Sequence, residues 1–221
     1  MMNIFSSFDP TTSNLTSMNW IIIMMIILMI PNSYWLIISR KTMLWTILLT
    51  KLNKELKIML MENKNSSLLL ISMFTLIMLS NMSSMFPYIF PSTSNMSINL
   101  SLALPLWMSM MMFGWTKFTM NMLIHLVPMG TPKILIPFMV CIETISNIIR
   151  PGTLTIRLTA NITAGHLMMT LLGSSNFNYS LYTIWISIII QLMLMSLEFM
   201  VSIIQAYVFT TLLTLYSSEI S

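Results

Sequence analysis

The chain is short of charge, glycine and cysteine, and each shortage excludes something. Only 7% of its 221 residues are Asp, Glu, Lys or Arg, against 56% hydrophobic residues and a mean hydropathy of +0.83. Soluble domains carry about 25% charged residues, so an ordinary soluble globular protein is excluded. The single cysteine, Cys141, leaves no disulfide within the chain, and a lone cysteine in an apolar stretch reads as packing. The five glycines, Gly114, Gly130, Gly152, Gly165 and Gly173, fall in neither a G-x-x-x-x-G-K-S/T phosphate loop nor a G-x-G-x-x-G fingerprint, which closes both common routes to nucleotide. Two histidines and scattered glutamates show no H-E-x-x-H spacing, so no metal and no cofactor is expected. Residues 1–18 hold no Lys or Arg and one acid, Asp9, unlike a secretory leader or a transit peptide.

What the chain does hold is long apolar runs. Several approach or exceed the ~20 residues that cross a bilayer, and they do not alternate as barrel strands would. The fold class read from this is all-α: a polytopic membrane protein, one membrane domain over residues 1–221, with about five membrane helices and a surface amphipathic helix. The first span is placed at 19–38, interrupted by Pro31, which neighbouring helices can tolerate in a membrane. Residues 40–64 carry Arg40, Lys41, Lys51, Lys54, Lys57 and Lys64 with Glu55 and Glu62. Trp45, Ile47, Leu48, Leu52, Leu56, Met59 and Leu60 recur there at helical spacing, the pattern of a helix lying on a membrane surface. Residues 66–85 and 98–116 read as a transmembrane hairpin around the aromatic, Pro-rich segment 86–91. Residues 117–133 read as a loop containing Pro128, Gly130 and Pro132.

Two long apolar segments follow, 134–173 and 179–216. Forty helical residues extend ~60 Å, twice the ~30 Å hydrocarbon core. Either the first breaks at Pro151-Gly152, or the two form a long tilted hairpin joined by a short polar turn. The matched lengths favour the hairpin. With residues 1–18 on one side, eight of the ten basic residues fall in the loops 40–64 and 117–133, while 1–18, 86–97 and 174–178 hold none. That satisfies the positive-inside rule and accounts for the net charge of +4 without a nucleic-acid partner. The remaining two, Arg150 and Arg157, sit inside the apolar segment.

A guanidinium is always protonated, and at bilayer depth it costs a few kcal/mol on insertion scales. On a helical wheel Glu143, Asn147, Arg150, Arg157 and Asn161 fall within about 80°, with Ser146 beside them and His166 about 140° from Asn161. Ser187, Gln191, Glu198, Ser202 and Gln205 fall within about 60° on the last helix. The amides and hydroxyls read first as helix-to-helix hydrogen bonds. Arg157, Glu143 and Glu198 read instead as an ion path or proton relay, the usual role of ionisable groups at that depth. His166 with Glu198 supplies two groups able to take up and release protons, or a structural pair. His125 reads as an interfacial, structural residue and Glu219 as part of a solvated end.

The decapeptide Arg157-Leu-Thr-Ala-Asn161-Ile-Thr-Ala-Gly165-His166 resembles the subunit a family of the F-type ATP synthase, of the mitochondrially encoded kind. The resemblance extends to Phe8-Asp9-Pro10, the stretch from Pro132-Lys133 to Arg150-Pro151, Glu198, and Gln205-Ala206-Tyr207-Val208-Phe209. It covers essentially the whole chain and is strongest over 128–210. The N-terminus and the 27 methionines are similar to an arthropod version. The resemblance implies a stator subunit of the mitochondrial inner membrane, with its N-terminus in the intermembrane space and its C-terminus toward the matrix. It implies two proton half-channels meeting a rotor ring of small c-type hairpin subunits. Arg157 matches the essential arginine that separates them. His166, Glu198, Asn161 and Gln205 match the half-channel on the intermembrane side, and Glu143 and Ser146 the one on the matrix side. The implied partners are the ring, peripheral-stalk and small membrane subunits and the lipid bilayer; no nucleotide and no nucleic acid are implied, and a bound lipid is the only small molecule besides the translocated proton.

Other classes stay open at this point. A proton-conducting subunit of another respiratory complex usually carries Lys midway along several helices, and no Lys lies between 134 and 216. A purely structural subunit predicts Glu143–Arg150 or Glu143–Arg157 pairs closed off from water. A stand-alone transporter usually shows paired inverted repeats, and no convincing repeat is present.

Overall fold

Pro31 is where the first apolar run stops being a helix. A computed structural model describes residues 4–12, 16–32, 37–60, 66–86, 89–127, 132–175 and 181–220. It is helical throughout its regular structure, with no strand among the described residues. A 3-10 turn Met18–Trp20 leads into α1, Ile21–Leu28. Proline lacks the N–H and its ring disfavours helical backbone before it. Instead of the helix expected over 19–38, the chain turns at Met29-Ile30; residues 33–36 lie outside the described residues.

The amphipathic helix is present as α2, Arg40–Met59. Ser39 caps it, its hydroxyl accepting from the Thr42 amide at 3.3 Å, which satisfies one of the first-turn N–H groups that have no partner inside the helix. Leu56 and Leu60 are buried, Trp45, Leu49 and Leu52 are half-buried, and Arg40, Lys41, Lys51, Lys54 and Lys57 are exposed. The inward set recurs every three to four residues. The rest of the expected segment, 61–64, lies outside the described residues.

The next helices are α3, Ser67–Ser84, and α4, Met96–Lys117. The segment expected to be a loop holds a short helix, α5, Thr119–His125. Its breakers, Pro128, Gly130 and Pro132, come only after the apolar Met122-Leu123-Ile124 turn has closed, so nothing stops a helix before them. Residues 128–131, with two of those breakers, lie outside the described residues. The long pair is α6, Ile136–Ser175, and α7, Leu181–Ile220, each 40 residues. α6 runs through Pro151 without interruption, so of the two arrangements left open the chain adopts the long hairpin. Residues 176–180, most of its turn, lie outside the described residues.

Among the described residues three helices are long and apolar enough to cross a membrane: α3, α4 and residues 184–218 of α7. α6 matches α7 in length, but Glu143, Arg150 and Arg157 interrupt its hydropathy. α3 packs most extensively on α7, α4 on α6, and α6 on α7. The core where they meet is made of Leu56 and Leu60 from the α2 end, Leu70, Phe74 and Ile77 from α3, Ala103 and Leu106 from α4, Leu154 and Leu158 from α6, and Ala206, Phe209 and Leu213 from α7. Much of the outward surface of α6 and α7 is apolar and exposed, including Ile145, Ile148, Ile156, Leu192, Met193 and Met200.

Leu70 is fully enclosed while Leu68 is 77% exposed on the same helix. Leu70→Ala is expected to cost about 2–5 kcal/mol through the cavity it leaves, and Leu68→Ala within about 0.5 kcal/mol. Thermal denaturation of the purified protein in detergent distinguishes the two.

Candidate functional site

The polar residues of α6 separate into two groups that open on different clefts. The first cleft, about 280 Å3, lies where α6 meets α7 and α3, and is lined by Asn161, Gly165 and His166 of α6, Glu198, Ser202 and Gln205 of α7, and Asn81 of α3. Asn161 and His166 share it although the wheel sets them far apart, because α7 packed on α6 makes a cleft broad enough to take in both sides of that turn.

The walls are close. An added Cβ at Gly165 would overlap the carboxylate of Glu198, meeting its Cδ at 2.6 Å. Glycine at this position is what lets the Glu198 side chain lie against the α6 backbone. Glu198 Oε1 and His166 Nε2 are both buried, and neither has a hydrogen-bond partner among the described residues. They are therefore not a closed structural pair. Buried polar atoms are nearly always partnered, and the groups left open here are the two best able to exchange a proton.

The second cleft, about 560 Å3, lies along the first half of α6 against α4, α5 and the end of α7. It is lined by Glu143, Asn147 and Arg150, with His125, Tyr216 and a wall of tryptophan and methionine side chains. Arg150 Nη2 lies 3.5 Å from Glu143 Oε1, two helical turns away, and the guanidinium stands 4.8 Å over the Tyr216 ring. The Arg150 and Glu143 side chains are 28% and 35% exposed, so this pair is open to the surroundings rather than sealed as a purely structural staple would be. Ser146 stands apart from the cleft lining: its hydroxyl donates to the Glu143 carbonyl at 3.1 Å. His125, expected to be structural, is exposed and on the cleft wall. Of the α7 stripe, Ser187 donates to the Ile184 carbonyl at 2.7 Å and Gln191 is half-buried; neither lines a cleft described here. The Glu219 side chain lies outside the described residues.

Arg157 sits between the two groups and lines neither cleft. Its neighbours Leu154, Thr155 and Leu158 turn inward and are buried, while Arg157 turns outward and is exposed. Among the described residues its guanidinium makes no hydrogen bond or ion pair. Arg150 and Asn161, the nearest cleft-lining polar residues on either side, are about 16 Å apart along the helix axis.

Residues 14–218 match the family model of the ATP synthase A chain. The chain is 52% identical to ATP synthase subunit a of Aedes aegypti, 51% to that of Anopheles gambiae and 50% to that of Drosophila yakuba, in each case over all of both chains. The chain belongs to the ATP synthase A chain family. It is thus the proton-translocating stator subunit of the ATP synthase membrane sector, not an enzyme by itself.

One wall of the first cleft of this subunit a was not legible beforehand. α3 brings Ser80, Asn81, Ser83 and Ser84 together at its buried end. Asn81 is fully enclosed, both of its side-chain polar atoms lack hydrogen-bond partners among the described residues, and it faces the first cleft. The Ser202 hydroxyl, 3.5 Å from Met82 Sδ, marks where α7 crosses this wall. A signal did exist: Ser80 and Ser84 are four apart with Asn81 between them, a polar strip on a helix otherwise read only as a span.

The glycine contact makes a sharp test. Gly165→Ala is expected to displace the Glu198 carboxylate and lower proton-driven ATP synthesis at least about tenfold, since a misplacement of ~1 Å can cost ~100-fold. Gly152, where an added Cβ meets nothing within 4 Å, is the control, and Gly152→Ala should keep near-normal synthesis. Equal rates in the two variants would show that the close approach at Gly165 is dispensable.

Proposed function

We propose that the two clefts are the proton half-channels of this subunit a and that Arg157 keeps them apart. The first, with His166, Glu198, Asn161 and Gln205, serves the intermembrane side of the mitochondrial inner membrane. The second, with Glu143 and its neighbour Ser146, serves the matrix side. The rotor ring of c-type subunits covers the apolar outward surface of α6 and α7, with peripheral-stalk and small membrane subunits and lipid around the rest. The N-terminus lies in the intermembrane space and the C-terminus toward the matrix, in keeping with the basic residues of α2.

The observation that carries this reading is the sequence of sites along α6: an open acid–arginine cleft, then an outward guanidinium unpaired among the described residues, then a cleft where Glu198 Oε1 and His166 Nε2 have no partner among them. The physics of coupling asks for that order. A proton crossing 100 mV releases ~2.3 kcal/mol, which becomes rotation only if protons cannot run straight through. A fixed positive charge repels a hydronium and stabilises an ionised ring carboxylate. A ring carboxylate arriving beside Arg157 therefore gives up its proton toward the matrix side, and the ring must turn before it is reprotonated from the His166–Glu198 side. Arginine suits this place because it stays charged when desolvated, where lysine loses its proton.

Arg157→Gln in the assembled complex tests the assignment. ATP synthesis by membrane vesicles should fall at least about 100-fold, the scale of removing one preorganised charge from a reacting centre. Proton flux in the same vesicles should become either blocked or a passive leak. Normal synthesis with normal flux would leave Arg157 a mere surface cation and end the reading.

A further inference from the structure

We propose that Phe8 is a positioning residue for the His166 imidazole, and that the N-terminal segment bearing it forms the outer wall of the inlet half-channel. The proposal rests on the assignment of the first cleft as that half-channel. A histidine that relays protons needs its ring held, because its two nitrogens are distinct and each must face its own partner. His166 Nε2 has no hydrogen-bond partner among the described residues, so no bond at that atom sets the ring. On the α3 side the imidazole hydrogen-bonds the backbone of Ser84, which fixes one edge of the ring. The Phe8 ring also meets it, with centroids 6.3 Å apart and planes at 84°. An edge-to-face ring contact restricts rotation without offering or taking a proton. The Ser84 bond engages one ring nitrogen, and a further hydrogen bond at Nε2 would occupy the one left open.

The chain around Phe8 is built to hold it there. Ile4–Phe8 is a short 3-10 helix packed on α6. Phe5 is 68% exposed and Ser6 and Ser7 are exposed, whereas Phe8 is half-buried. The residues after it fold back on the start of the first membrane helix. The Asp9 carboxylate accepts from the Thr11 amide at 3.1 Å, and the Asp9 carbonyl accepts from Asn19 Nδ2 at 3.4 Å. The Thr12 hydroxyl donates to the Thr16 carbonyl at 3.0 Å and accepts from the Met18 amide at 3.3 Å. Phe8 is therefore presented from a tied turn and not from a loose end.

The charged and titratable groups around His166 are few. Glu198 of α7 shares its cleft, and Asp9, exposed, follows Phe8. α3 brings neutral groups, Asn81 and the Ser84 backbone. The 3-10 turn Ser92–Ser94 that also packs on α6 brings hydroxyls, and α4 brings no charge before Lys117 at its far end.

The test uses assembled ATP synthase in membrane vesicles carrying Phe8→Ala, Phe8→Leu, Phe8→Tyr or His166→Ala. Assembly, ATP-driven proton pumping and the pH profile of pumping from about pH 6 to 8 are measured on each. Phe8→Tyr should match the unsubstituted complex. Phe8→Ala and Phe8→Leu should assemble, pump about 2- to 10-fold more slowly, the size of an edge-to-face ring contact, and show a displaced pH profile. Unsubstituted rate and profile in either assembled variant would overturn the proposal. So would failure of both to assemble while Phe8→Tyr assembles, which would make Phe8 a packing residue only. Unchanged pumping in His166→Ala would instead overturn the half-channel assignment itself, so the two failures are told apart.

Discussion

Hydrocarbon solvates neither a peptide group nor a charge, and this subunit a is organised around that constraint. Backbone polarity is absorbed by making every regular element a helix. The clefts gather the polar side chains of α6 and α7 and of the end of α3. Arg157 has no hydrogen-bond or ion-pair partner among the described residues, and its face of α6 is exposed. An exposed guanidinium at membrane depth is costly unless a counter-charge meets it from outside the chain, and the proposed function supplies that charge as a ring carboxylate.

Small residues set how closely the helices approach, and so the shape of the first cleft. Gly165 lets the Glu198 carboxylate lie on the α6 backbone, and Ala206, fully enclosed, lies two turns further along α7 where it joins the core with Leu158. Close backbones with small residues between them are how membrane helices associate when lipid removes the hydrophobic drive. Here the same packing narrows the cleft around His166 and Glu198. The second cleft is built differently, with bulky methionine and tryptophan walls and an open Glu143–Arg150 pair. The first cleft is the smaller of the two, at about 280 Å3 against about 560 Å3.

Much of this was readable from residue order. The helices α3 and α4, the basic α2 and the long hairpin follow from hydropathy and periodicity, and the cost of charge in lipid singles out Arg157, Glu198 and Glu143, with His166 beside Glu198. The misreadings have local causes. Pro31 ended a helix expected to continue, since its ring disfavours helical backbone before it and it has no N–H to donate. Pro151, by contrast, leaves α6 continuous, as the matched lengths of the two segments favoured. α3 was read as a plain span because its hydroxyls are isosteric with small apolar groups, and only contact with α7 reveals which way Asn81 turns.

Composition and periodicity by themselves determined that the chain is a bundle of membrane helices and which few residues are too costly to be accidental, because transfer energies depend only on residue type and depth. Tertiary structure alone decided which of those residues share a cleft and that Arg157 faces outward between two of them. It also set Gly165 against Glu198 and Phe8 against His166. Those outcomes depend on helix rotation and on contacts between segments far apart in the chain, which the wheel of a single helix does not contain.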